Sequence, residues 1–437
     1  MKNARETALK ILYSVEYEGA YINMAIKGTF AKNKDLSPHD RAFITRIVYG
    51  VIKRKLTLEY IIEQYSKIKP KKISKFIFII LQMGIYQLKF MDRVPESAAV
   101  NECVKLSKRY GHGASAGFVN GILRTVAKSE INYPKDKMQR LSYIHSYPMW
   151  LCEKWCDDYG YEFSEKLMIA MNKEANVTLR ANTLKTNSEE IAQKNEGIEI
   201  SPLYKNALIS KGFDIASSKI FNDGLVIAQD ISAMIASLAL NPKKGSRVLD
   251  MCAAPGGKTT HLAELMENEG EIIACDIYEH KINLIAENAK RMGINIINPR
   301  ICDASQYIKD FNLGFDYVLA DVPCSGLGVI KRKPEIKWKT QDFAYFAEIA
   351  QKILTNAAKY VKLGGEVVFS TCTLNRTENE ERFFEFLKNN DNFIPVDITE
   401  FIPKALNTDT SGKGYVTFYP HIHNIDGFFI AKAKRCK

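Results

Sequence analysis

The chain has 437 residues, of which 46% are hydrophobic and 25% charged, and 61 Lys+Arg against 50 Asp+Glu leave a net charge of +11. That length suggests about three domains, and the composition excludes a collagen, a disordered chain and a small disulfide scaffold. The longest apolar runs, such as residues 76–83 with Gln82 inside, are too short for a membrane span.

The N-terminus, Met1-Lys2-Asn3-Ala4-Arg5-Glu6, leads into an amphipathic pattern with no apolar signal segment, so a cytoplasmic location is expected. Ala4, Ala8, Ile11, Leu12 and Val15 recur at helical steps, as do Phe43, Ile47, Val48, Val51 and Ile52, then Ile77, Ile80, Leu81 and Ile85. Ser37-Pro38-His39-Asp40 reads as an N-cap with proline at the first helical position. A second helix start falls at Val94-Pro95-Glu96-Ser97, and a loop at Gly111-His112-Gly113 precedes a helix to about Val126. Residues 1–130 are therefore expected to form an all-helical domain. The charge is concentrated there: residues 1–140 hold 26 Lys+Arg and 12 Asp+Glu, a net of +14, whereas the remainder holds 35 and 38. A basic excess confined to one third of the chain suggests a polyanion partner, most simply nucleic acid, although a solvated lysine surface gives the same count.

Turn composition at Asn132-Tyr133-Pro134-Lys135-Asp136 marks a boundary. Residues 140–240 mix predicted helices (150–159, 163–172) with short strands (177–180, 225–228) and read as a small α+β connecting domain. From 241 to 437 strands and helices alternate: strands at 247–250, 271–276, 296–301, 315–321, 366–371 and a closing strand at 428–433, with helices from about Thr259 and over 279–292. This pattern predicts an α/β domain with a parallel sheet and crossover helices, a Rossmann-like architecture.

Nine cysteines are spread along the chain without a C-x-x-C pair, and His421-x-His423 lacks cysteine partners, which argues against a structural metal site and for reduced thiols. Asp250-Met251-Cys252-Ala253-Ala254-Pro255-Gly256-Gly257-Lys258-Thr259 joins a strand to a helix with small residues that let a ligand approach the backbone. A phosphate-binding P-loop would need glycine at Cys252, and a G-x-G-x-x-G fingerprint is absent. S-adenosylmethionine has no pyrophosphate and remains the reading that fits. Asp276, Asp303 and Asp321 fall at or just after strand ends, where Asp276 could accept from ribose hydroxyls and Asp303 could meet the adenine amino group. A single such aspartate could merely cap the next helix; three in register point to the cofactor crevice.

Asp321-Val322-Pro323-Cys324-Ser325-Gly326 and Phe369-Ser370-Thr371-Cys372-Thr373 each put a thiol at a strand's carboxyl end. A lone cysteine is ordinarily a small buried apolar residue, which is the reading for Cys103, Cys152, Cys156, Cys275, Cys302 and Cys436. Two thiols at neighbouring strand mouths suggest covalent catalysis. Methylation of a pyrimidine at carbon 5 needs a thiolate at carbon 6 to make carbon 5 nucleophilic, and an acid near N3, for which Asp321 is the candidate. Position alone leaves Cys324 and Cys372 level as the nucleophile. Arg180, Asn182, Lys185 and the stretch Lys331-Arg332-Lys333-Pro334-Glu335 could contact RNA, while Trp150 and Trp155 read as core.

Taken with Arg180-Ala181-Asn182-Thr183-Leu184-Lys185, these motifs resemble the RNA cytosine-5 methyltransferase family, in its bacterial 16S ribosomal RNA branch, and residues 1–130 resemble the NusB fold, a helical RNA-binding module. The resemblance implies that Cys372 attacks, that Cys324 assists product release, and that Cys252, Ala253, Ala254, Pro255, Gly256, Gly257, Lys258, Asp276, Asp303 and Asp321 bind S-adenosylmethionine. It implies 16S ribosomal RNA, free or in an early small-subunit particle, as substrate, with no membrane and no obligate protein partner. A binding or assembly factor with a degenerate methyltransferase domain is the alternative, disfavoured by the intact cysteines and aspartates. A methyltransferase acting on protein or a small molecule would need no paired thiols.

Overall fold

The computed structural model describes residues 3–211, 215 and 218–437. The chain divides into two compact units, one comprising Met1–Asn172 with Arg332–Lys339, the other Lys173–Lys331 with Thr340–Lys437.

The first unit is helical. Ser37 caps the helix Pro38–Lys53 by accepting from the Asp40 backbone N–H at 3.1 Å, as the Ser-Pro pattern predicts. The helix Lys75–Phe90 is apolar on nearly every face; Ile77, Ile79, Ile80, Leu81, Met83 and Ile85 are all buried, so it forms the centre of the unit. Glu96–Tyr110 and Ser115–Lys128 pack against it through Val100, Cys103, Leu106, Val119 and Leu123. The helices Lys137–His145, Met149–Tyr159 and Tyr161–Asn172 also belong to this unit, so the helical body runs beyond residue 130. Trp155 is fully buried there. The remote segment Arg332–Lys339 is anchored in the same unit. Lys337 is fully buried and donates to the Lys53 carbonyl at 2.7 Å from above the Tyr147 ring; Trp338 Nε1 donates to the Ile52 carbonyl at 2.9 Å. Burial pushes the Lys337 ammonium well below its ordinary pKa.

The second unit holds two sheets. The smaller has strands Val177–Ala181 (β1), Ile198–Ile200 (β2), Ala207–Ser210 (β3) and Val226–Ala228 (β4), in the order β2-β3-β1-β4. The larger contains Arg247–Asp250 (β5), Glu271–Asp276 (β6), Ile297–Ile301 (β7), Phe315–Asp321 (β8), Val361–Thr371 (β9), Phe393–Pro395 (β10), Tyr415–Phe418 (β11) and Phe428–Arg435 (β12). Its order is β10-β12-β9-β8-β5-β6-β7, with β11 also pairing β12. Strands β5 to β9 run parallel, as the alternating pattern predicts. The sheet is nevertheless mixed. β12 is antiparallel to β9, β10 and β11, and it lies inside the sheet, between β9 and β10. Only residues 419–427, including the short helix Pro420–His423, separate β11 from β12, too little chain for a crossover, so the two strands pair as a hairpin.

Candidate active site

In the larger sheet, β6 and β7 lie on one side of β5 and β8 and β9 on the other, so a crevice opens at the carboxyl ends of β5 and β8. The loop after β5 enters it. Its backbone is held by the Ala253 N–H donating to the Cys275 carbonyl and the Gly256 N–H to the Ala253 carbonyl, both at 2.7 Å. Gly256 has φ +99°, a conformation that favours glycine, and it hands the chain to the helix Gly257–Leu265. Asp250, at the end of β5, accepts from Thr259 Oγ1 at 2.7 Å through one oxygen; the other is buried without a hydrogen-bond partner. Burial pushes this carboxyl up to about 7.

The loop is also braced from β1. Arg180 is fully buried and faces no RNA, contrary to the sequence reading. Its guanidinium pairs with Glu264 at 2.7 Å and donates to the Gly257 carbonyl at 2.7 Å and Thr260 Oγ1 at 2.9 Å. Asn182 is buried as well, donating to the carbonyls of Gly224 and Met292, and Lys185 donates to those of Asp223 and Arg291. Arg180 and Asn182 are thus a structural weld, while Lys185 stays exposed. No local pattern could separate these readings, because the partners lie 38 to 110 residues away.

Asp276 ends β6, is 7% exposed, and accepts weakly from the Tyr278 N–H at 3.3 Å and Lys281 at 3.4 Å. Asp303 follows β7 and accepts from the backbone and hydroxyl of Ser305. Both aspartates therefore make local turn bonds while standing at the mouth of the same crevice as the residue 252–258 loop.

The two thiols meet. Cys324 Sγ lies 3.3 Å from Cys372 Sγ, the first after β8 and the second after β9. Gly328 permits this approach: its N–H donates to the Cys372 carbonyl at 3.0 Å, and a Cβ there would stand 2.0 Å from the Gly427 carbonyl oxygen. Asp321 accepts from Lys258 Nζ at 2.6 Å and Ser370 Oγ at 2.7 Å. Burial alone would push the Lys258 ammonium down, but Asp321 and the sulfur of Cys372 push it up on balance. Cys324 is pushed well above its usual range, first by its hydrogen bond to Cys372, then by burial, with the Glu378 charge adding. The Glu378 charge thus disfavours a thiolate at Cys324, while the Lys258 ammonium interacts with the sulfur of Cys372. Glu378, which the sequence reading missed, is 1% exposed and accepts from the Ser325 N–H and Oγ.

Among the described residues, no cluster of three or more His, Cys, Asp or Glu could hold a metal ion, and no helix is long and apolar enough to cross a membrane.

Comparison with known proteins places these features in context. The profile described as 16S rRNA methyltransferase RsmB/F matches residues 237–434, the NusB family profile residues 2–128, and an RsmF/B-like ferredoxin-like domain residues 147–233. The chain is 36% identical to the probable ribosomal RNA small subunit methyltransferase B of Bacillus subtilis, over 99% of each chain. It is 35% identical to a relative of the same name in Synechocystis sp., over 100% of each. The solved structure of NSun6 from Pyrococcus horikoshii with SFG is similar at a TM-score of 0.62 and 25% identity, covering 68% of this chain and all of that one.

Proposed function

The chain belongs to the 16S rRNA methyltransferase RsmB/F family, and from that premise we propose that it methylates carbon 5 of a cytosine in 16S ribosomal RNA through a covalent adduct between Cys372 and carbon 6. The observation that carries the reading is the thiol pair: two sulfurs 3.3 Å apart at adjacent strand ends, with the half-buried Lys258 acting on one and the Glu378 charge on the other.

S-adenosylmethionine fits the crevice. The buried, unpartnered Asp250 oxygen, the glycine turn at Gly256 and the carboxylates of Asp276 and Asp303 offer the acceptors and the close backbone that such a ligand requires. Residues Cys252–Lys258, Asp276, Asp303 and Asp321 would hold it. When bound, it supplies an electrophilic methyl group.

The protein's own groups do the rest. Lys258 favours the thiolate of Cys372, which adds to carbon 6 of a base taken out of its stack and makes carbon 5 enamine-like. Lys258 donates to Asp321 across 2.6 Å, and the pair would face N3, where the adduct gathers charge. Once carbon 5 is methylated, water takes its proton, the electron pair of that bond closes the ring double bond and the bond to Cys372 breaks; Cys324, 3.3 Å away, gives its proton to the departing sulfur and is reprotonated from solvent. The basic helical segment 1–130 supplies backbone contacts to RNA, for which Lys67, Lys69, Lys71, Lys72 and Lys75 stand exposed within nine residues. The substrate is free RNA or an early small-subunit particle in the cytoplasm.

The test is to map 5-methylcytosine in 16S ribosomal RNA from cells with and without the gene, and to complement with variants. Cys372→Ala is expected to abolish the mark, and Cys324→Ala to accumulate an RNA-linked protein band on denaturing gels. An unchanged 5-methylcytosine map, or normal turnover by Cys372→Ala, would overturn the proposal.

A further inference from the structure

Within this reading, Cys324 and Cys372 act together only while their loops stay in register, and the two loops come from different strands. We propose that Glu378 is the positioning residue that sets the separation of the two thiols, by tying the residue after Cys324 to the residue after Cys372; the inference rests on the function proposed above.

Glu378 follows Cys372 by six residues in Thr373-Leu374-Asn375-Arg376-Thr377-Glu378, a polar stretch that looks like a solvated loop in sequence. In the fold it is 1% exposed. One carboxylate oxygen accepts from the Ser325 N–H at 2.8 Å; the other accepts from Ser325 Oγ at 2.6 Å and Asn375 Nδ2 at 2.7 Å. Ser325 Oγ is also 2.7 Å from Thr373 Oγ1. Ser325 has a single hydroxyl proton and spends it on Glu378, so Thr373 donates to Ser325. The result is a directed chain, Thr373 to Ser325 to Glu378, that links both loops. Asn379 pins the same loop from behind, donating to the Thr373 carbonyl at 3.0 Å and bonded to Thr371 Oγ1 at 2.5 Å.

Among the described residues Glu378 makes no ion pair. A buried carboxylate without a cation is costly, and here it is satisfied by neutral donors alone. A glutamine could not replace it: with Ser325 giving two protons and Asn375 one, an acceptor-only group is required, and an amide would turn its own N–H groups against them. The negative charge also faces Cys324 and opposes its ionisation.

The experiment is oxidative cross-linking of the full-length protein with diamide. Each thiol gives up a proton, the pair gives up two electrons to the azo bond, which becomes a hydrazine, and an S–S bond joins Cys324 to Cys372. The rate, read by mass spectrometry of the two cysteine peptides, reports thiol separation without any methyl transfer. Glu378→Gln is expected to slow cross-linking by about tenfold or more and to lower kcat by a similar factor, with the KM for S-adenosylmethionine within about twofold of wild type. Ser325→Ala, which cuts only the hydroxyl link, is expected to slow cross-linking by about threefold and serves if Glu378→Gln does not fold. Wild-type cross-linking and kcat in a folded Glu378→Gln protein would overturn the proposal, as would a rise in KM alone. Slowed cross-linking in a protein whose wild type leaves cytosine unmarked would retain the positioning role and sink the cytosine reading instead.

Discussion

The Arg180–Glu264 pair offers the sharpest test of how the cofactor loop is held. Arg180 is 0% and Glu264 2% exposed at the side chain, with 2.7 Å between Nη2 and Oε1. Replacing Arg180 with Met fills similar volume but strands Glu264 in a site closed to water and removes the donors to Gly257 and Thr260. Breaking one side of a buried ion pair costs about 3–5 kcal/mol, because the remaining charge has no solvent and has lost its cation. At a urea m-value of about 3 kcal/mol/M, that lowers the unfolding midpoint by about 1–1.7 M. The assay has an internal control: Trp150, Trp155 and Trp338 all belong to the helical unit, so tryptophan fluorescence follows that unit alone, while far-UV ellipticity follows both. Arg180→Met should split the two curves, leaving the fluorescence transition in place. Glu264→Leu added to Arg180→Met should recover about 2 kcal/mol or more, since the stranded carboxylate is then gone. An unmoved ellipticity curve, or a double variant as unstable as the sum of the singles, would refute the argument.

Three further outcomes are expected. Lys337 has a depressed pKa in the folded state, so below the ordinary lysine value the unfolded chain holds a proton that the folded one sheds; stability of the helical unit should rise with pH through that window by up to about 1.36 kcal/mol per pH unit, and Lys337→Met should flatten the slope of Tm against pH read by tryptophan fluorescence. Asp250 has a raised pKa, so its contribution is full below the ordinary carboxyl value and is lost as pH rises toward about 7; Asp250→Asn should remove that decline from the ellipticity-monitored stability of the cofactor-free protein, and an unchanged profile would contradict its burial as an acid. Gly328→Ala should cost about 1–3 kcal/mol and most of the turnover, because the new methyl group would sit 2.0 Å from the Gly427 carbonyl oxygen and push the Cys324 loop off Cys372; near-normal kcat would show that the loops yield freely.

Much of this arrangement was legible before any coordinates. Strands β5, β6 and β8 are short apolar runs that end on an aspartate, and their bounds match the pattern residue for residue. Parallel pairing then puts every strand end on one edge, so Asp250, Asp276, Asp321 and Cys372 converge without further information. What stayed hidden depends on long-range burial. A basic stretch at 331–335 reads equally as an RNA contact or a solvated loop, yet two residues on Lys337 is fully buried under Tyr147. Arg180 looks like an RNA contact until Glu264, 84 residues later, is seen opposite it. Glu378 sits in a run of polar residues with no apolar periodicity to mark it as interior. In each case the side chain's polarity gave the wrong environment, because its compensating partner came from a distant element.

On the proposed mechanism, the same electrostatics would give a reason for two thiols where one attacks. At 3.3 Å, two thiolates would repel by about 5 kcal/mol even at an effective dielectric constant near 20, so the pair holds at least one proton across the neutral range. Which sulfur keeps it is then decided by neighbours rather than by the thiols, which are chemically identical. Lys258 reaches the crevice from the helix after β5 and raises the negative charge's preference for Cys372; Glu378 arrives from the loop after β9 and denies it to Cys324. A lysine alone would favour a thiolate but supply no acid to the departing sulfur, and a carboxylate alone would suppress both. On the mechanism proposed above, this asymmetry would favour attack by Cys372 and proton return from Cys324.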